Sequence, residues 1–74
     1  MYEVPERKRR AARMVGLLMR HGRSVDEIAA LVRKGRGAVL AWLGGTSYPT
    51  LASVVVIEEL AREAGILVPG EGVK

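Results

Sequence analysis

Apolar residues return every three or four positions through most of this chain, and each run is cut off by glycine or proline. Over residues 5–21, Ala11, Met14, Val15 and Leu18 share one side of a helix, with Arg7, Arg9, Arg10 and Arg13 around the rest. Pro5 suits a first helical position, where its missing N–H would have no partner anyway, and Gly22 supplies a left-handed stop. A second helix opens at Ser24-Val25-Asp26-Glu27, the spacing of a capping box. Serine hydroxyl and glutamate carboxylate there each satisfy a free N–H of the first turn. Ile28, Ala29, Leu31 and Val32 form its apolar side, and it ends before Gly35.

The third helix covers residues 36–43, with Gly35 as N-cap and Gly44-Gly45 as its stop. Its phase puts Val39, Trp42 and Leu43 on the buried side, turns Gly37, Ala41 and Gly44 outward and leaves Leu40 on the flank. A fourth helix starts at Thr50 and runs to Ala64 before Gly65. Its four β-branched residues 54–57 also suit a strand. The helical period continues through Glu58-Glu59-Leu60-Ala61-Arg62-Glu63-Ala64, and no second strand offers a pairing partner. Ser53, Val54, Ile57, Leu60, Ala61 and Ala64 make its inner stripe, with Val55 among Glu59 and Arg62 outside and Val56 at the margin. Residues 66–68 are expected to pack back on the core and residues 69–74 to form a fraying tail. The expectation is an all-α bundle of four to five short helices in one domain, residues 1–68.

Composition narrows the chemistry. Seventy-four residues bury only about 60% of the surface of the unfolded chain. Without cysteine there is neither a disulfide framework nor a thiolate zinc site, and one histidine does not build a metal centre. No catalytic constellation is present, so neither an enzyme nor a cofactor is expected. His21, near a helix end, reads as a dipole partner. The uncharged run over residues 37–57 is long enough to cross a membrane, but GGTSYPT interrupts it and argues against a span. Charge is uneven: residues 1–45 carry ten Lys/Arg against four Asp/Glu (+6), and residues 46–74 carry two against four (−2). A basic front half points toward an anionic polymer, most simply nucleic acid.

Two short helices joined by a tight turn and preceded by a basic helix make a helix-turn-helix pattern. Ala29, Val39 and Trp42 fall where such proteins place a small residue in the second helix and two buried residues in the third. With the connector Gly45-Thr46-Ser47-Tyr48-Pro49-Thr50 and the small-residue stretch Gly35-Arg36-Gly37-Ala38-Val39-Leu40-Ala41, the chain resembles the phage lambda repressor and Cro family from about Met14 to Ile66. Two departures stand out: Arg33 occupies the usual glycine of the turn, and the third helix offers Arg36 as its one polar outward residue.

The resemblance implies a DNA-binding transcriptional regulator, a bacterial or phage repressor, acting as a homodimer on double-stranded DNA in the cytoplasm, at the nucleoid. Small outward residues let a helix backbone sink into a major groove about 12 Å wide. Arg36, Gly37, Leu40 and Ala41 are the expected base contacts, with Arg36 donating to a guanine and Leu40 and Ala41 touching thymine methyl groups. Arg7, Arg9, Arg10, Ser24, Arg33, Lys34, Thr46, Ser47 and Tyr48 are the expected backbone contacts. Val55, Val56, Ile66 and Leu67 are the candidates for a dimer contact. The alternative is a protein-interaction module on the same fold, binding RNA polymerase or a recombination partner through the bland face of the third helix.

Overall fold

A computed structural model describes residues 4–66, which form four helices and no strand. They are α1 (Glu6–Arg20), α2 (Val25–Val32), α3 (Arg36–Gly44) and α4 (Leu51–Glu63). The all-α bundle is therefore correct, with four helices among the described residues. The β-branched run of residues 54–57 lies inside α4. Burial along one stripe outweighs the local strand preference there, because Val54 and Ile57 are wholly enclosed.

Local chemistry starts and stops each element. Pro5 is the N-cap of α1 rather than its first residue. Ser24 Oγ accepts from the Glu27 N–H at 3.0 Å and opens α2. The reciprocal half of the capping box is not formed: the Glu27 carboxylate instead takes a hydrogen bond from Arg23 Nη1 at 2.8 Å. A guanidinium offers a charge-assisted bond that a backbone N–H does not. Thr50 caps α4, accepting from the Ser53 N–H at 3.4 Å.

All four helices end alike, in a left-handed residue flanked by two reverse hydrogen bonds. The residues are Gly22, Arg33, Gly45 and Gly65. For α2 the Arg33 N–H donates to Ala30 O at 3.2 Å and the Lys34 N–H to Ala29 O at 3.0 Å. Arg33, at φ 61°, is the one described non-glycine residue in this region. The turn thus has the left-handed backbone that a glycine would adopt, with an arginine in its place.

The core is one cluster drawn from every helix. Ala11, Val15 and Leu18 of α1, Ile28 of α2, Val39 of α3, and Val54, Ile57 and Ala61 of α4 have no accessible surface. Helix α1 lies chiefly against α4, and α2 against α3, with α1–α3 and α2–α4 contacts closing the bundle. Trp42 seals α3 to it at 5% exposure. Pro49 is fully enclosed and anchors the α3–α4 connector from inside.

Two core assignments need correcting. Leu43 is 37% exposed, because α3 turns Ala38, Val39 and Trp42 inward and leaves Leu43 on the rim above Gly16 of α1. Leu31 is 44% exposed, because the inner side of α2 is taken by Val25, Ile28, Ala29 and Val32. Of the candidate dimer residues, Val55 is exposed while Val56 and Ile66 are partly buried against the core. Leu67, the far part of the 66–68 segment and the 69–74 tail lie outside the described residues.

Candidate functional site

The outward face of α3 is made of Arg36, Gly37, Leu40 and Gly44, with Ala41 half-buried beside them. Leu40 is 45% exposed. Among the described residues nothing requires this face to be bare. A Cβ placed on Gly37 or on Gly44 would meet no atom within 4 Å, and neither residue has a positive φ. A helical glycine costs about 1 kcal/mol against alanine. That cost has no return from packing or turn geometry among the described residues. A partner that must approach the helix backbone closely would supply one.

Cations stand at both ends of this ridge. At its N-terminal end Arg33 and Lys34 form the turn before α3, both exposed and, among the described residues, without an ion pair. Arg36 is next, its Nη1 donating to Asp26 Oδ1 of α2 at 2.8 Å. At the far end, Arg9, Ala12 and Arg13 of α1 meet Trp42, Leu43, Gly45 and Tyr48 around an open cleft of about 210 Å³. This brings together two expected contacts far apart in sequence, Arg9 and Tyr48, and adds Arg13 to the same cleft.

The remaining expected contacts are placed unevenly. Ser24 has its hydroxyl in the α2 cap but stays exposed. The Thr46 N–H donates to Ala41 O at 3.0 Å and closes α3, with its hydroxyl 3.4 Å from the same oxygen, while Ser47 is exposed. Arg10 is partly buried, and its Nε has no hydrogen-bond acceptor among the described residues. Together with Arg13, Met14, Gly16, Leu17 and Arg20 it borders a second open groove, along α1 itself.

Arg7 has a structural post. Its Nε donates to Glu58 Oε2 at 2.9 Å and its Nη2 to Glu58 Oε1 at 2.7 Å, a two-pronged pair tying α1 to α4. Glu58 is only 5% exposed. The Arg7 hydrogen bonds hold its carboxyl below the ordinary carboxylate range against the opposing effect of burial, and the charges of Arg7, Arg62 and Arg10 assist. Arg9 and Arg13 likewise hold the exposed Glu6 carboxyl below its usual value by hydrogen bonding.

Comparison with protein-family models, curated proteins and solved structures finds no match. The functional reading therefore stands on this geometry. Among the described residues no cluster of three or more metal-ligating side chains occurs. No described helix is long and apolar enough to cross a membrane.

Sequence reasoning overlooked three elements here: the Arg7–Glu58 clamp, the Arg36–Asp26 pair and the part of Arg13 in the α1–α3 cleft. Arg13 had a signal, since Glu6, Arg9 and Arg13 are three, four and seven apart and so share a helix face. The other two pairs join different helices across 51 and 10 residues, where local spacing says nothing.

Proposed function

We propose that this protein is a sequence-specific DNA-binding regulator of the lambda repressor and Cro type, which places α3 in the major groove. The observation that carries the reading is a helix stripped of side chains on its outward face, at Gly37 and Gly44, for no reason among the described residues. Cations at both ends, Arg9 and Arg13 sharing the Glu6 carboxylate, support a polyanionic partner. In this reading α2 and α3 are the two arms of a helix-turn-helix, and Arg33 keeps its turn.

Arg36 enters the groove first and donates to guanine O6 and N7, while Leu40 and Ala41 touch thymine methyl groups. Arg33, Lys34, Arg9, Arg13 and Tyr48 reach phosphates on either side, with Ser24, Thr46 and Ser47 as further hydroxyl contacts. Arg10 supports the field from α1. Arg7 belongs to the fold. Binding is then dominated by phosphate contacts and is strongly salt-dependent. A two-fold DNA site calls for a two-fold protein, and exposed Leu51 and Val55, one turn apart on α4, replace the partly buried Val56 and Ile66 as the proposed dimer contact. Bound at a promoter, such a dimer represses by excluding RNA polymerase.

The test is selection of bound duplexes from random DNA, followed by titration of the recovered and a scrambled duplex at two salt concentrations. Recovery of a site bound at least ~100-fold tighter than the scrambled duplex supports the reading. Equal binding of both refutes it. That result would favour the second reading, in which exposed Leu31, Leu40 and Leu43 form an apolar surface for a protein such as RNA polymerase or a recombination partner.

A further inference from the structure

We infer that Asp26 is a specificity-determining residue, holding the Arg36 guanidinium toward a base edge and discouraging its use on phosphate. The inference rests on α3 being the groove-entering helix. Arg36 and Asp26 are joined at 2.8 Å, yet their side chains are 61% and 74% exposed. An ion pair so open to water does little for stability, and it leaves both side chains accessible to a partner that meets α3.

The neighbouring charges sharpen the point. Among the described residues Arg33 and Lys34, at the turn, have no ion-pair partner, which leaves both charges open to a phosphate. The cation on the outward face of α3 is the one that carries a carboxylate. A guanidinium has five N–H donors and Asp26 takes one, from Nη1, so enough remain for guanine O6 and N7. The carboxylate can also accept from a cytosine N4 amino group on the same groove floor. Moving Arg36 to a phosphate would either break the pair or bring the Asp26 carboxylate against a second anion, a like-charge contact that costs binding. Asp26 therefore weakens contact with arbitrary DNA more than contact with a guanine-containing site.

The experiment compares wild type, Asp26→Asn, Arg36→Ala and the double variant on two duplexes, one carrying the site recovered by selection and one scrambled. Asp26→Asn should bind the scrambled duplex several-fold tighter, with a salt slope steeper by about 0.9 as Arg36 gains a phosphate. Its ratio of selected to scrambled affinity should fall about fivefold or more, the discrimination of one bidentate base contact. In the Arg36→Ala background the same substitution should leave the ratio unchanged. Asp26→Ala carries the same expectation, should the amide disturb the first turn of α2. A ratio kept within twofold in both variants overturns the inference, as does a fall that persists without Arg36. Either outcome leaves the DNA-binding reading intact. A wild type that prefers no sequence removes that reading and this inference together.

Discussion

Replacing Arg33 by glycine separates the shape of the α2–α3 turn from its charge. Arg33 sits at φ 61°, ψ 41° and closes α2 through two reverse hydrogen bonds. Left-handed backbone costs a residue with a Cβ roughly 1–2 kcal/mol. Glycine removes that clash but loses more freedom on folding, roughly 0.5–1 kcal/mol. The difference leaves Arg33→Gly stabilising by about 0.5–1 kcal/mol, because the side chain is exposed and has no ion-pair partner among the described residues. For a domain of this size that raises the thermal midpoint by roughly 2–8 °C. The same change deletes a cation at the mouth of α3, so DNA affinity should fall and the salt slope should become shallower by about 0.9. Arg33→Lys keeps both the strain and the charge and should resemble wild type on both counts. Thermal melts followed by circular dichroism, with titrations at three salt concentrations, read both quantities. A less stable glycine variant refutes the left-handed turn; a more stable one with unchanged DNA affinity refutes the phosphate role.

Gly37→Ala adds a methyl group where no atom lies within 4 Å. It should stabilise the fold by roughly 0.5–1 kcal/mol in urea unfolding and weaken binding to the selected duplex, and a tighter complex would contradict the close-approach argument. Leu40→Gln removes an exposed apolar side chain. Stability should stay within about 0.5 kcal/mol while a repeat selection changes preference at one base pair, and an identical site would remove Leu40 from the contact set. Arg7→Ala strands the buried Glu58 carboxylate and should cost about 1–3 kcal/mol, with little change in sequence preference; loss of discrimination at full stability would reassign Arg7 to DNA. Because Arg7 lowers the Glu58 pKa in the folded state, the pair's stabilisation is present above the ordinary glutamate range and is lost as pH falls through the lowered value. Melts from pH 6 to pH 2 should thus show wild type losing more stability than Arg7→Ala, and parallel curves would contradict the coupling.

The fold was largely readable from the chain because its punctuation is local. Glycine and proline mark most of the breaks, Ser24 and Thr50 cap the helices they precede, and Val39 with Trp42 fixes the phase of α3. Leu31 and Leu43 were misplaced for a shared reason: helical spacing gives an apolar sector, while the neighbouring helices decide how much of it is covered. In α3 that share went to Ala38, whose small side chain lets the helix sit close, and Leu43 was left over Gly16. Charge was less legible than hydrophobicity. Arg7 and Arg36 look alike in sequence, each on a basic stretch near a helix start. The fold gives one a buried carboxylate on α4 and the other an exposed carboxylate on α2.

Amide chemical shifts recorded while the selected duplex is added would map the contact surface residue by residue. The account predicts that the largest changes fall on residues 33–37, on Leu40, Ala41 and Gly44, and on the far-end cluster of Arg9, Arg13 and Tyr48, with the Trp42 and Val39 amides moving less. Changes confined to Leu51, Val55 and the rest of the outer side of α4, with the α3 ridge unmoved, would contradict it.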